Sequence, residues 1–394
     1  MPVAVVSGLR QAGKTTLARS VGPRRRFISL DDLTLLEQAR REPAALLEPR
    51  PVTVDEVQYV PEILRAVKLI VDRERVPGDF LLTGSANLLL ADRVSESLAG
   101  RAGYLDLLPF CPTEWTQRPG GLGPIDRLFD ADFDPSQWPV EEGDWPGWLL
   151  RGGFAPAVGL SDPSDRALWL ESYVRTYLER DLRSLSAVSS LPEFQRVMRL
   201  AANQCARVIN QANLARDAAL PAVTTHRYLN LLEAGGLLTR IPAWAGNPTV
   251  SAVKSPKWLW TDCGLAAWLA GANGPAWLGN RSDSGFWLEQ TLFQTLQTWR
   301  SLDPARRRIH FWRDRSGREV DFILEQDDAL VGVEIKQGRQ VGAEDTRGLE
   351  AWRASLPVAR RKTRGVVLNA SAHRTLADNL HALPFGWMVP SEIG

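Results

Sequence analysis

The spacing of hydrophobic and polar residues predicts an α/β fold for the first part of the chain. Short, largely apolar segments typical of buried strands occur at Val3–Val6, Pro51–Glu56 and Asp79–Ser85. The first is followed by a glycine-containing turn and then by residues at helical spacing. Strands that alternate with helices favour a parallel sheet covered by helices.

The middle of the chain is predicted to be mainly helical. From Asp165 to about Leu200, Trp169, Tyr173 and Tyr177 recur near helical spacing, so we expect them in a core. Two short helices around a turn are predicted at 209–215 and 223–229, and a hairpin-like segment follows them. This order is typical of a helix-turn-helix with a wing.

The end of the chain predicts a second α/β region. We expect a helix at Gly285–Trp299 and strands at Val320–Leu324 and Val333–Lys336. The stretch Pro119–Gly147 is rich in Pro, Gly, Asp and Trp, which predicts an insertion or linker. The predicted domains are therefore 1–118, 119–160, 161–275 and 276–394.

Composition narrows the classes of protein. A chain of 394 residues with 44% hydrophobic residues is long enough for two or three cores. Lys and Arg number 47 against 46 Asp and Glu, so a nucleic-acid site has to be a local patch. No apolar run is long enough to cross a bilayer, and the three cysteines lie far apart. These features predict a cytoplasmic protein without a disulfide framework or membrane contact.

The turn after the first strand carries the most specific chemistry. Its spacing from Gly8 to Thr15 is G-x-x-x-x-G-K-[ST], which binds phosphates through backbone N–H groups and a helix N-terminus. Lys14 is expected at the β- and γ-phosphates and Thr15 at Mg²⁺. The predicted cofactors are therefore ATP and Mg²⁺, held by Gly8, Gln11, Ala12, Gly13, Lys14, Thr15 and Thr16.

Two carboxylates end the second apolar segment. Asp55 is the candidate for Mg²⁺ and Glu56 the candidate base that polarises the attacking water. An Asp-Glu pair on a solvated loop is the alternative, and the preceding phosphate loop favours the catalytic interpretation.

Polar residues after the third segment extend the candidate site. Ser85 or Asn87 is a candidate to sense the γ-phosphate, with a simple Gly-Ser turn as the alternative. Arg101 follows a glycine and is a candidate to stabilise transition-state charge in cis or in trans. A solvated surface arginine is the competing interpretation.

These motifs in this order resemble the prokaryotic AAA-type ATPases that carry a C-terminal domain of unknown function. The resemblance rests on GLRQAGKTTLA, FISLDD, VTVDEVQYVPEIL and FLLTGSANLLL, and it continues through ESYVRTYLERDL and HRYLNLLEAGGLLTRI to VEIK. It implies an ATPase core followed by a helical, DNA-binding-like and nuclease-like half. Relatives usually place a helical segment before the first strand, which here begins at Val3.

The helix-turn-helix has two candidate uses. Its second helix is expected to enter a DNA groove with Thr224, Thr225, His226 and Arg227 near its exposed N-terminal part. Lys254 and Lys257 in the wing are candidates for phosphate contacts. Winged helices also dock proteins, so a DNA partner and a protein partner both stay open.

The last region has the residue spacing of a metal-dependent nuclease. Asp321 lies on one predicted strand, and Glu334 and Lys336 share a face of the next. Asp321 and Glu334 are candidate Mg²⁺ ligands, Lys336 would position or activate a water, and Glu289 would be a further ligand or a group that supports the ligands. A surface hairpin of alternating charge is the alternative.

Together these features predict a P-loop AAA-type ATPase domain, a winged-helix region and an α/β restriction-nuclease-like domain. The function expected is a Mg²⁺-dependent ATPase that couples nucleotide state to the C-terminal half. The alternatives are a protein-docking switch with slow hydrolysis and an ATP-gated DNA endonuclease. Because arginine fingers often reach across subunits, a homo-oligomer is a further candidate.

Overall fold

The chain forms two compact units. Unit 1 comprises Met1–Pro109 and Ala234–Leu237, and unit 2 comprises Phe110–Glu233 and Leu238–Gly394. The computed structural model describes residues 1–22, 24–84, 98–116, 123–137, 140, 143–177, 190–245, 255–279, 281–338 and 340–390. The predicted domain boundaries at 118, 160 and 275 stay predictions.

Unit 1 contains a five-stranded parallel sheet with the order β2-β3-β4-β1-β5. Its strands are β1 (Val3–Gly8), β2 (Arg26–Ser29), β3 (Val52–Asp55), β4 (Phe80–Thr83) and β5 (Ala102–Leu107). Strands β3 and β4 are buried along their whole length, as expected for central strands covered on both faces. The predicted parallel sheet is thus present, and β1, β3 and β4 fall on the three predicted segments.

The helices of unit 1 cover this sheet. They are α1 (Lys14–Ser20), α2 (Leu33–Arg41), α3 (Pro43–Leu46) and α4 (Glu62–Arg73). In α4 the buried residues Ile63, Leu64, Val67 and Val71 lie on one face, so its apolar stripe packs into the core. The Asp32 carboxylate caps the N-terminus of α2: it accepts a hydrogen bond from the Thr34 N–H at 2.8 Å and so satisfies a free helix donor.

The described residues of unit 2 form two sheets and a larger set of helices. One sheet is three-stranded with the order β6-β8-β7, and the other is six-stranded and mixed with the order β13-β14-β12-β11-β10-β9. The strands are β6 (Arg207–Val208), β7 (Leu238–Ile241), β8 (Lys257–Trp260), β9 (Arg307–Arg313), β10 (Glu319–Gln326), β11 (Ala329–Ile335), β12 (Arg364–Leu368), β13 (Arg374–Ala377) and β14 (Leu380–Leu383). The helices are α5 (Pro112–Trp115), α6 (Gly123–Arg127), α7 (Trp145–Arg151), α8 (Ala155–Val158), α9 (Pro163–Tyr177), α10 (Leu191–Asn203), α11 (Gln211–Asp217), α12 (Ala222–Ala234), α13 (Cys263–Leu269), α14 (Ala276–Gly279), α15 (Ser284–Leu302) and α16 (Arg347–Ser355).

Helix α15 is the central buried helix of unit 2, although it carries many polar residues. The Gln290 side chain accepts the Trp260 N–H and donates to the Trp260 carbonyl, both at 2.8 Å. Gln294 accepts the Cys263 N–H at 3.1 Å and donates to the Phe110 carbonyl at 2.7 Å. Because these polar groups are paired, the helix can be buried on nearly all sides without the cost of unsatisfied donors and acceptors.

The predicted helical stretch from Asp165 to Leu200 consists of two described helices, α9 and α10, and residues 178–189 lie outside the described part. The helix predicted at Gly285–Trp299 is present and extends to Leu302. Helices α11 and α12 fall on the predicted pair, and β7 and β8 pair antiparallel after them. The winged-helix assignment itself stays a prediction.

Two further predictions concern membranes and cysteines. Among the described residues, no helix has both the length and the apolar character needed to cross a membrane. Cys111, Cys205 and Cys263 are buried, as expected of core residues.

We expect Gly332 on β11 to be intolerant of a side chain. A Cβ there would lie 2.6 Å from Trp352 Cζ3 and 2.7 Å from Leu349 Cδ2. Gly332→Ala should therefore lower the free energy of unfolding of unit 2 by about 2 kcal/mol through overpacking. Urea unfolding followed by tryptophan fluorescence measures this loss.

The matched control is Gly342→Ala, because a Cβ there meets nothing within 4 Å and its φ is −119°. Its free energy of unfolding should stay within about 0.5 kcal/mol of that of the parent protein. Equal stability of both variants would contradict the packing described for β11.

Candidate functional site

The turn between β1 and α1 has a backbone suited to wrapping an anion. Gly8, Gln11 and Gly13 all have positive φ, at 142°, 63° and 97°. A Cβ on Gly8 would lie 2.1 Å from the Leu107 carbonyl oxygen, so only glycine fits beside β5. Ala12 is buried, whereas Gln11 and Thr16 are exposed. The turn then leads directly into the N-terminus of α1, where backbone N–H groups favour phosphate.

Lys14 lies folded back over this turn. Its ammonium donates to the Gly8 carbonyl at 3.0 Å and to the Leu9 carbonyl at 2.8 Å, and the residue is buried. The ammonium is therefore held by carbonyl oxygens of the loop. These are weaker acceptors for a charged donor than phosphate oxygens are.

Asp55 lies between two hydroxyl groups at the carboxyl edge of the sheet. Thr15 Oγ1 donates to Asp55 Oδ2 at 2.9 Å, and Thr83 Oγ1 donates to Asp55 Oδ1. Asp55 is only 2% exposed. Parallel pairing of β3 with β4, in which Val54 lies opposite Leu82, brings Asp55 and Thr83 together. A hydroxyl and a carboxylate at this point are oxygen ligands of the kind that Mg²⁺ takes alongside phosphates and water.

Glu56 follows directly and has an unusual backbone. Its φ is 60°. This left-handed conformation is energetically unfavourable for any residue other than glycine, and such residues are found at functional sites. Its N–H donates to Thr83 Oγ1 at 3.4 Å, and Gln58 donates to its carboxylate. Thr83 thus contacts both acidic residues of the pair.

The structure does not bring Arg101 to the loop of its own chain. The Arg101 carbonyl accepts the Val3 N–H at 3.3 Å, at the beginning of β1, whereas the loop follows Gly8 at its other end. The strand separates them by about 16 Å. The Arg101 side chain pairs with Asp72 at 2.6 Å and 2.9 Å. The prediction of a role in cis is corrected by this geometry, and a role in trans stays a prediction. Ser85 and Asn87 lie outside the described residues.

The candidate DNA-contacting residues of α12 are only partly exposed. Thr225 is fully buried and its hydroxyl donates to the Pro221 carbonyl at 3.3 Å, so its predicted place on the exposed surface is corrected. His226 and Arg227 are exposed. Lys254 lies outside the described residues, and Lys257 is 1% exposed, which corrects the predicted phosphate contact of Lys257.

In unit 2 the structure brings Asp321, Glu334 and Lys336 together. Antiparallel pairing of β10 with β11, with Phe322 opposite Val333, sets Asp321 opposite Glu334. Asp321 Oδ2 accepts the Ile335 N–H at 2.8 Å, and Lys336 Nζ donates to Glu334 Oε1 at 2.8 Å.

Burial and mutual repulsion act on these two carboxylates. Burial, followed by the nearby charge of Asp321, raises the pKa of Glu334 to about 8. Burial also raises the pKa of Asp321. Two facing carboxylates with raised pKa values are an arrangement that a cation stabilises.

Glu289 belongs to the same cluster but is already paired. Lys257 Nζ lies 2.7 Å from Glu289 Oε1 and 2.8 Å from Glu319 Oε1. Burial opposes the charge of Lys257, but the attraction of Glu289 and the neighbouring carboxylates outweighs it and raises the pKa of Lys257. Across the described residues, no three His, Cys, Asp or Glu side chains are grouped so that they could hold a metal ion.

Sequence reasoning missed Thr83 and the pairing of Lys257 with Glu289. Thr83 ends an apolar strand, and a hydroxyl at that edge was the available signal. A register shift of β10 against β9 between Val320 and Ile323 was also missed. Such bulges re-aim side chains near functional sites, and this one includes Asp321.

Comparison with known families divides the chain into three parts. Residues 1–116 match a family described as AAA domain, which supports an ATP-binding, ATPase-type function. Residues 142–276 match a domain of unknown function (DUF8612), and residues 284–388 match another (DUF4143). The chain therefore has an AAA domain at its N-terminus and a DUF4143 domain at its C-terminus, in keeping with the resemblance in its motifs.

Two relatives are similar to this protein over nearly its whole chain. Proteins of Mycobacterium tuberculosis and Mycobacterium bovis, both named as uncharacterized, are 28% identical over 387 residues, 97% of this chain and 80% of each relative. Among solved structures, a RuvB variant of Thermotoga maritima is 19% identical with a TM-score of 0.26, covering 61% of this chain and 82% of its own. A protein of Vibrio cholerae is 12% identical with a TM-score of 0.20, covering 98% and 95%. Both TM-scores are too low to establish a shared fold.

We expect Thr83 to position Asp55 for Mg²⁺. Thr83→Val keeps the shape of the side chain but removes the hydroxyl, so the Mg²⁺ concentration needed for half-maximal ATP turnover should rise about tenfold. Thr83→Ser restores a donor and should restore the requirement of the parent protein. An unchanged Mg²⁺ requirement in Thr83→Val would show that the hydroxyl does not position Asp55.

Proposed function

We propose that the AAA domain is a Mg²⁺-dependent ATPase whose reaction takes place between the β1–α1 loop and the carboxyl edge of β3. The observation that carries this proposal is the contact of Thr15 Oγ1 with Asp55 Oδ2 at 2.9 Å. It places the hydroxyl and the carboxylate expected at Mg²⁺ within one hydrogen bond of each other, immediately after the phosphate loop.

Lys14 would supply the positive charge at the β- and γ-phosphates. Its present acceptors are two loop carbonyls, which phosphate oxygens would replace as stronger, charged acceptors. The Lys14 side chain would move in this exchange, and the loop backbone already carries the positive φ angles of such a turn. The residues proposed to contact ATP are Gly8, Gln11, Ala12, Gly13, Lys14, Thr15 and Thr16.

Glu56 would act as the base that orients and polarises the attacking water. It follows the proposed Mg²⁺ ligand Asp55 by one residue, and its backbone is left-handed. The Thr83 hydroxyl contacts the Glu56 N–H and the Asp55 carboxylate. Mg²⁺ would neutralise developing charge, and the protein would position water and phosphate.

We further propose that nucleotide state is coupled to the C-terminal half, through the predicted winged-helix region, to DNA or to a protein partner. His226 and Arg227 are exposed on α12 and are the side chains available for a groove. Arg101 would act only in trans, within a homo-oligomer, after release from Asp72. A docking switch with slow hydrolysis is the variant of this proposal in which binding persists without turnover.

The test compares ATP turnover with Mg²⁺ in the parent protein, Lys14→Ala and Glu56→Gln, with and without double-stranded DNA. Lys14→Ala should abolish ATP binding. Glu56→Gln should keep ATP binding and lower kcat about 100-fold or more, because it loses the general base. Stimulation by DNA should appear in the parent protein.

Glu62→Gln is the matched control, because Glu62 is an exposed glutamate of α4 in the same unit. Its turnover should equal that of the parent protein. Unchanged hydrolysis in Lys14→Ala would contradict the ATPase assignment, whereas tight ATP binding without hydrolysis in the parent protein would favour the docking switch.

A second candidate function is an ATP-gated DNA endonuclease in unit 2. The observation that favours it is the grouping of Asp321, Glu334 and Lys336 at the adjoining strands β10 and β11. Asp321 and Glu334 would bind Mg²⁺, and Lys336 would hold a water or stabilise charge at the phosphate.

For this candidate we expect Mg²⁺-dependent nicking of plasmid DNA that is lost in Asp321→Ala and in Lys336→Ala. Asp328→Ala is the control, because Asp328 is exposed on the turn between the same two strands. Nicking that persists in Asp321→Ala, or that is absent from the parent protein, would remove the nuclease candidate and leave the ATPase proposal intact.

A further inference from the structure

Lys257 is a buried cation that the ATPase proposal does not use. It lies on β8, its side chain is 2% exposed, and its ammonium contacts Glu289 and Glu319 at 2.7 Å and 2.8 Å. The aromatic ring of Phe311 lies below it, with the ring centre 5.4 Å from Nζ. A lysine is almost never buried in this way unless opposite charges surround it.

Lys257 is paired with two of the carboxylates that a second metal ion would need as ligands. The Glu289 side chain is 4% exposed, and the cation against one of its oxygens is Lys257. Glu319 is held by the same ammonium and is nearer the surface, at 30% exposure. The ammonium therefore already performs the charge neutralisation that a divalent ion would otherwise supply between these side chains.

The other side of the cluster has a carboxylate oxygen without a hydrogen-bond partner. Glu334 is 8% exposed, and its Oε2 is buried without a hydrogen-bond partner. Its other oxygen accepts from Lys336, and the carboxylate of Asp321 faces it across the strands. A buried carboxylate oxygen without a donor is costly, and a bound cation would remove that cost.

We propose that Lys257 is a built-in cation of this cluster, so that the cluster takes one divalent ion, at Asp321 and Glu334, and Glu289 is a counter-ion of Lys257 rather than a metal ligand. The inference rests on the cation site of the second candidate function and not on DNA cleavage. It removes Glu289 from the candidate metal ligands and makes Lys257 its counter-ion.

The charges of the cluster agree with a single divalent ion. Four carboxylates and two ammonium groups leave a formal charge of −2 when all are ionised, from Glu289, Glu319, Asp321, Glu334, Lys257 and Lys336. Two further charges lie at the edge of the cluster: Arg313 is 3.8 Å from Glu319, and Asp345 attracts Lys336. The positive charge of Arg313 and the negative charge of Asp345 offset each other. One divalent ion neutralises the remainder, and two would leave an excess of positive charge in a buried site.

The experiment measures Mn²⁺ binding to the full chain by electron paramagnetic resonance of free Mn²⁺, without nucleotide. It uses Asp55→Asn as the parent, which removes the carboxylate of the proposed ATPase site. One Mn²⁺ should bind per chain, and adding Asp321→Asn should abolish binding. Zero or two bound ions in the Asp55→Asn parent would overturn the proposal.

The decisive variant adds Lys257→Met and Glu289→Gln together. The pair removes one charge of each sign, so the formal charge of the cluster is unchanged, and replacing a buried ion pair together is better tolerated than breaking it. One Mn²⁺ should still bind, with an affinity within about twofold. A loss of about tenfold or more, about 1.4 kcal/mol, would overturn the proposal.

Circular dichroism of each variant confirms folding. Should the double variant not fold, the stoichiometry of the Asp55→Asn parent and its loss in Asp321→Asn still decide between one ion and any other number. Failure of Mn²⁺ binding here would leave ATP turnover by unit 1 untouched, so the two proposals fail separately.

Discussion

The parallel register of β1, β3 and β4 is the constraint on which the nucleotide site depends. Leu82 of β4 lies between Val5 and Val54, so all three strands end at one edge. The side chains after those buried positions, Asp55 and Thr83, then meet beside the turn that follows β1. A slip of one residue would turn them to the opposite face of the sheet, and the hydrogen bond from Thr15 would be lost.

The loop and the sheet were predictable because their signals are local. An apolar segment, a glycine spacing and a helical pattern lie within one continuous stretch, and Asp55 ends an apolar strand. Thr83 was not recognised because its role depends on the register between β3 and β4. Arg101 looked suitable from spacing alone, but β5 begins beside the start of β1. The loop follows the other end of β1. Long-range pairing, rather than local pattern, separates these outcomes.

Unit 2 shows the same division between local and long-range signals. The spacing of Asp321, Glu334 and Lys336 was visible, since alternation along strands is a local property. The partner of Glu289 was not, because Lys257 lies 32 positions away and looked like a surface lysine of a wing. Buried charge has to be compensated, but which residue compensates it is decided by packing around α15.

The most direct test of the account is whether Mg²⁺ tightens ATP binding through Asp55. ATP affinity should be measured by calorimetry at increasing Mg²⁺ for the parent protein and for Asp55→Asn. Mg²⁺ should strengthen binding in the parent protein and have little effect in Asp55→Asn, which keeps Lys14 and the loop. An equal gain from Mg²⁺ in both proteins would contradict the assignment of Thr15 and Asp55 to the metal.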